Sequence, residues 1–287
     1  MCTDVAAAPG SDAEAIAASA RTGEPDRYLA ALLAPAGARD ALMALAAFSA
    51  ELAHVAHMVT REPIMGEIRL QWWRDALEPA APRTGHPVAD AVRAATQRHA
   101  LPQTLLLGLV EGRAADLRPD PFADDAALSA YLAATEGAMF ALAAHVVRAP
   151  PGAGLDAACA ACGQAYGIAR LLLALPHALS RGRLPLPHAH LDASAAAGTL
   201  LYGAGEERAI ALLADLRARA RRHIVTCRQH VMKLPRSGRV AFLPLALVEP
   251  YLRALERPGR DPLREGAELA PLTRIWRIAA AHWLGRL

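Results

Sequence analysis

Apolar residues recur along this chain at intervals of three and four, the spacing that lines one face of a helix. Alternating β-branched runs and Asn-Gly hairpin turns are missing, so the pattern predicts helices and no sheet. Residues 26–34, "DRYLAALLA", form a first helix that stops at Pro35. Residues 38–60 form a long second one, with Leu42, Leu45, Leu52 and Val55 on its apolar side. A third starts after Pro63 and carries "EIRLQWWRDAL". Further helices are predicted over 86–99, 102–117 and 124–148, the last with Asp124 as its N-cap. The segment 155–180 follows, and Pro176 is expected to kink or end it. After a proline-rich connection come 205–234, 238–257 and 267–285. About ten helices without an internal repeat or low-complexity linker predict one all-α domain over residues 23–287, not a solenoid. Residues 1–22 are expected to be a loose tail.

Composition sharpens this picture. Hydrophobic residues make up 54% of the 287 residues but aromatics only 5%, so alanine carries much of the apolar content. Alanine favours helices that pack closely and disfavours strands. The net charge is +3, and Lys233 is the only lysine, so the positive charge is almost all arginine, the side chain suited to carboxylate and phosphate. Acids lie among the arginines along the whole chain, which argues against a nucleic-acid surface. The first twenty residues hold acids and no base, unlike a secretory signal, and no uncharged apolar run reaches the length of a spanning helix. A soluble or peripheral protein, cytoplasmic or at the inner face of a membrane, is the expectation.

Several patterns invite chemistry. Cys159 and Cys162 form a C-x-x-C inside an alanine-rich helix, with no second pair to complete a zinc site, and read as small buried residues. Glu51-x-x-His54-x-x-His57 puts side chains on one helix face as in di-iron bundles, but the second Glu-x-x-His such a site needs is absent. Adjacent Trp72 and Trp73 point about 100° apart, so at most one can be fully in the core. Near the end, Leu272, Ile275, Trp276, Ala279 and Trp283 share one stripe, which either packs on the bundle or docks on a membrane or partner. Neither a G-x-S-x-G elbow nor a phosphate-binding glycine loop is present.

The stretch "GIARLLLALPHALSRGRLPLP", residues 167–187, is apolar and acid-free and runs into Arg-Gly-Arg and two prolines. With the "GQA" at 163–165 it resembles the second signature of the squalene/phytoene synthase family, the head-to-head prenyl transferases. "DRYLAALLAPAGARDALMALAAFSAELAHV" resembles that family's first block, and "EIRLQWWRDAL" its next Trp/Arg helix. The resemblance spans roughly residues 26–260. It implies the all-α isoprenoid synthase fold, with a central cavity between two aspartate-rich motifs that hold magnesium on a diphosphate.

Matched on Phe48, the first motif's aspartates fall at Ala53, His54 and His57; matched on Arg181-Gly182-Arg183, the second's fall at Ala174 and Ala178. Alanine binds no metal and neutral imidazole prefers softer ions. The chain therefore resembles most the branch that includes the respiratory complex I assembly-factor relatives, with "EPIMGEIRLQWW" and "RLLLALPHALSRGR" carrying the likeness. That branch implies a non-catalytic accessory factor acting with respiratory-complex subunits or assembly factors, with no cofactor. The alternative is an active transferase on farnesyl or geranylgeranyl diphosphate, in isoprenoid, carotenoid or hopanoid biosynthesis, with Mg2+. Arg170, His177, Arg181 and Arg183 are candidates to hold a phosphate or the head of a prenyl or anionic lipid. Trp72, Trp73, Trp276 and Trp283 are candidates for docking on a partner or membrane.

Overall fold

The computed structural model describes residues 9–58, 63–120, 122–191, 196–202 and 205–287, and for residues 9–11, 56–58 and 63 the backbone alone. Among them there are helices and turns and no strand. The first helix, α1 (Pro9–Gly23), is followed by α2 (Pro25–Leu32), α3 (Ala36–Met58) and α4 (Pro63–Leu77). Next come α5 (Pro87–His99), α6 (Gln103–Gly112), a 3-10 turn over Arg113–Leu117, and α7 (Asp125–Leu132). A π-helical turn, Ala133–Gly137, joins α7 to α8 (Ala138–Val146), and α9 (Ala153–Ser180) is the longest element. The chain closes with α10 (Ala197–Leu201), α11 (Glu206–Val231), α12 (Arg236–Arg239), α13 (Val248–Leu255) and α14 (Pro271–Leu284).

Two helices organise the bundle. α3 is wrapped by α1, α2, α5 and α8; α9 is wrapped by α11, α13, α8 and the π turn. Both are rich in alanine, so their neighbours approach closely: Ala44, Ala46 and Ala47 of α3 and Ala158, Ala165 and Ala169 of α9 are buried. Glycine makes the tightest contact. A Cβ on Gly163 of α9 would lie 2.6 Å from the backbone N and Cα of Gly137, so α9 crosses the π turn with backbone against backbone.

Most predicted helices form, and the differences have local causes. Residues 9–23 are not a loose tail: they fold as α1, which lays Ile16 and Ala20 on α3, with Ala20 fully buried. The segment 124–148 is capped by Asp124, whose carboxylate accepts the Ala127 N–H at 2.8 Å, but it takes the π turn in its middle. The segment 238–257 contains Pro244, which removes a donor, and the chain there is a 3-10 stretch (Val240–Leu247) before α13. Pro176 does not end α9, which runs on to Ser180.

Asp125–Val146 and Ala153–Ser180 are, by length and composition, apolar enough to cross a membrane. Here half or more of each is buried in the bundle: Leu128, Leu132, Phe140 and Leu142, and Ile168, Leu172 and Leu175, all sit in the core. Trp73 joins that core fully buried, 5.0 Å from the Phe48 ring. Trp72 is half-buried beneath Arg69, whose guanidinium lies 4.4 Å from its ring centre. A docking role is thereby closed to Trp73.

Candidate functional site: a cavity between α3 and α9

The Arg-Gly-Arg at the end of α9 is a helix terminator. Gly182 takes φ +75°, open to glycine at little cost. Its N–H donates to Leu179 O at 2.9 Å and the Arg183 N–H donates to Ala178 O at 2.9 Å, the paired bonds that close a helix on a left-handed residue. The reversal separates the two arginines. Arg181 is left exposed at the helix end, while Arg183 turns back, half-buried, to Asp116 with Nη2 3.4 Å from Oδ1.

Arg183 thereby joins the lining of a cavity of about 170 Å3, with Ala53 from α3 and Gly167, Arg170, Ala174 and Ala178 from α9. The two helices face each other across it. Beneath lies a network of buried charge. Glu24, fully buried, accepts from Arg27 at 2.8 Å, from Ser49 at 3.0 Å and from Arg170. Arg27 also donates to Glu136 at 2.6 Å, and Arg113 lies 3.6 Å from the same carboxylate. Arg113 further donates to Tyr131 at 3.0 Å and to Asp116 at 3.2 Å, and the Tyr131 hydroxyl donates to Asp116 at 2.9 Å. Arg113 Nε is buried and finds no acceptor among the described residues. A third buried acid, Asp26, accepts from Tyr166 at 2.9 Å and Tyr251 at 2.8 Å, with Arg274 Nε 3.1 Å away.

Burial pushes the carboxyls of Glu24 and Glu136 up, but the surrounding arginines outweigh it: Arg170 and Arg27 hold Glu24 below the usual range, and Arg27, Arg170 and Arg113 bring Glu136 down to about 2. Burial raises the Tyr131 and Tyr166 hydroxyls, which stay protonated donors. Acids whose folded pKa is lowered stabilise the fold above their unfolded value of 4.5, and that stability is lost as pH falls toward about 2. Asp26, raised because burial outweighs its hydrogen bonds, works in the opposite sense and offsets part of the loss. The urea midpoint should therefore fall between about pH 6 and about pH 3, and Glu136→Gln should shrink that difference. An unchanged difference in the variant would remove Glu136 from this role.

The expected site residues divide. Ala53, Ala174, Ala178, Arg170 and Arg183 share the cavity wall. His54, His177 and Arg181 are exposed outside that lining, and the side chain of His57 lies outside the described residues. Arg170 is not a cation awaiting a phosphate, because it is committed to Glu24. Glu51 lies 3.8 Å from both Arg69 and His86. Burial lifts the Cys159 thiol to about 12 and holds the Cys162 thiol well above its ordinary value, so neither is poised as a thiolate.

Magnesium, which the transferase chemistry would require, takes hard oxygen donors. The expected positions on the wall are alanines, and the two wall carboxylates, Asp116 and Glu136, are already ion-paired. Among the described residues no group of three His, Cys, Asp or Glu side chains comes together to hold a metal. The residues do not fit the ion.

Sequence reading missed Glu24, Arg27, Arg113, Asp116, Tyr131 and Glu136. A signal was present for one of them, since Glu136 is the only acid in the apolar run 126–147. A lone acid there must find a buried cation.

A helical bundle closed on a cavity between α3 and α9 is the isoprenoid synthase architecture, and solved structures agree. A squalene synthase, HpnC from Alicyclobacillus acidocaldarius, superposes with a TM-score of 0.71 at 17% identity over 87% of this chain and 94% of its own. A dehydrosqualene synthase determined with a ligand gives 0.75 at 13% identity, covering 96% of both chains.

The chain belongs to the squalene/phytoene synthase family, whose model matches residues 20–276. Among its relatives is the rat protein named NADH dehydrogenase (ubiquinone) complex I, assembly factor 6, 28% identical over 88% of this chain and 78% of the rat protein. The human protein of that name is 27% identical over 82% and 71% of the two chains. A Drosophila melanogaster homologue is 28% identical over 81% and 72%.

Proposed function

We propose that this chain is a non-catalytic member of its family that serves as an accessory factor in the assembly of respiratory complex I. The observation that carries this reading is the cavity wall itself. Where transferase chemistry calls for carboxylates on both sides, Ala53 faces Ala174 and Ala178, and the remaining carboxylates are neutralised by arginines. Size supports it too: about 170 Å3 is below the roughly 300–1,000 Å3 of sites that enclose drug-sized ligands, and head-to-head transfer must hold two prenyl chains. The names of the relatives supply the role.

In this reading the partners are subunits or assembly factors of the complex, and the protein works peripherally at the membrane face where they meet. The four arginines about the cavity, Arg27, Arg113, Arg170 and Arg183, exceed its three carboxylates by one charge, which would suit one small anion, such as a phosphate head, without a metal. Two measurements test the reading. Purified protein incubated with farnesyl or geranylgeranyl diphosphate and magnesium should release no pyrophosphate above a boiled control. Deletion of the gene in its host should lower assembled complex I on native gels, with recovery on complementation. Turnover in the first test, or a normal level of complex in the second, would overturn it.

A further inference from the structure

The terminal helix α14 is fastened by one face. Arg274 reaches Asp26, Ile278 and Ala281 are buried, and Arg239 donates to Gly285 O at 3.1 Å just beyond the helix. Because α14 advances about 100° per residue, the side turned away from these anchors carries Leu272, Ile275, Trp276, Ala279 and Trp283. That side is left to solvent: Leu272 is 79% exposed, Trp276 66% and Trp283 67%. The bundle has turned the apolar stripe outward. Beside it Leu284 is 68% exposed, and Val225 of the adjoining α11 is 57% exposed. Apolar area of this size on an outer helix marks a contact surface.

Charge identifies what it contacts. No acid occurs from Leu269 to Leu287, while Arg274, Arg277 and Arg286 do. The groove between α14 and α11 is lined by Arg221, Arg228, Arg253, Arg277 and Arg286 against one acid, Glu249, so five positive charges meet one negative and the excess is four. Glu249 is itself paired with Arg221 and Arg253. A second copy docking through a two-fold axis would set this positive face against itself, which like-charge repulsion opposes. A convex helix with two outward tryptophans, leucine and isoleucine beside them and arginines at the flanks matches a helix lying in the interface of an anionic bilayer. Indole rings sit at headgroup depth there and guanidinium groups reach the phosphates.

We propose that α14 is a bilayer-docking helix, which seats the protein on anionic lipid through Leu272, Ile275, Trp276 and Trp283 with Arg277 and Arg286 on the headgroups. This rests on the peripheral location proposed above and names the surface that provides it. The test uses the full chain with vesicles of phosphatidylcholine alone, or mixed equally with phosphatidylglycerol. Co-sedimentation should require the anionic lipid and weaken as salt rises, and tryptophan emission should shift to the blue on binding. Trp276→Ala with Trp283→Ala should lower partitioning tenfold or more and abolish the shift, with circular dichroism unchanged because both side chains are outside the core. Arg277→Gln and Arg286→Gln should each lower binding to the mixed vesicles about fivefold.

No binding to the mixed vesicles, or binding indifferent to the tryptophan pair, would overturn the proposal. So would a dimer in sedimentation that the tryptophan variant dissociates, since the face would then belong to a second copy. Vesicle binding is read without complex I, and the pyrophosphate and native-gel tests are read without vesicles, so the two proposals can fail separately.

Discussion

Arg27→Met should destabilise the fold by about 3–5 kcal/mol, the cost of leaving a buried charge without its partner. In a chain of this size that lowers the thermal midpoint by on the order of 10 °C. The reason is position. Arg27 stands between two carboxylates, 2.8 Å from Glu24 and 2.6 Å from Glu136, and all three side chains are buried. Methionine keeps much of the volume and strands both acids. Arg170 still faces Glu24, but Arg113 is 3.6 Å from Glu136, too far to replace the lost contact. Adding Glu136→Gln to Arg27→Met should return part of the loss, because a neutral amide tolerates the site better than an unpaired carboxylate. Urea and thermal unfolding of the single and double variants measure this. A single-variant loss under about 1 kcal/mol, the size of an exposed pair, would mean the network is solvated and not buried.

How much of this could be read in the sequence depends on range. Helix periodicity, the Asp124 cap and the prolines are local, and they located most elements to within a few residues. The Arg-Gly-Arg triplet was visible as well, though not the turn it makes. Arg181 and Arg183 look equivalent on paper, and only the left-handed turn at Gly182 leaves one exposed at the helix end and sends the other to Asp116. Long-range pairing was not legible. Glu24 and Glu136 lie far apart in the chain, and Arg27 unites them only because α2 is packed against α3 while the π turn is packed against α8 and α9. The outward stripe of α14 is intermediate. Its residues were visible, but which face the bundle would claim depended on Asp26 capturing Arg274.

The cavity and the network explain each other. The facing helices bring arginines to a wall whose expected carboxylate positions are alanines, and a largely buried arginine needs a counter-charge. Here Asp116, Glu136 and Glu24 pair with Arg113, Arg183, Arg27 and Arg170, three carboxylates against four guanidinium groups, so one positive charge is left over. A wall built in this way is held rigid by its own ion pairs, which suits a scaffold better than a site that must ionise a substrate.

The crossing of α9 over the π turn makes the second large prediction. Gly163→Ala should destabilise the protein by about 1–3 kcal/mol, where most glycine-to-alanine changes in a helix stabilise it. The new Cβ would fall 2.6 Å from the N and Cα of Gly137 and 3.4 Å from the carbonyl carbon of Glu136. Backbone cannot rotate aside as a side chain can, so the two elements must separate. Separation carries the Glu136 carboxylate away from Arg27 and Arg113. The loss should then be non-additive with Glu136→Gln, with a coupling of about 0.5–3 kcal/mol between the two changes. Gly154, at the start of the same helix, has nothing within 4 Å of where a Cβ would lie, so Gly154→Ala should be neutral or stabilise by up to about 1 kcal/mol. Denaturant unfolding of the two variants side by side decides the matter. Equal behaviour at both positions would mean that α9 does not press on the π turn, and that Glu136 owes its place to something other than this glycine pair.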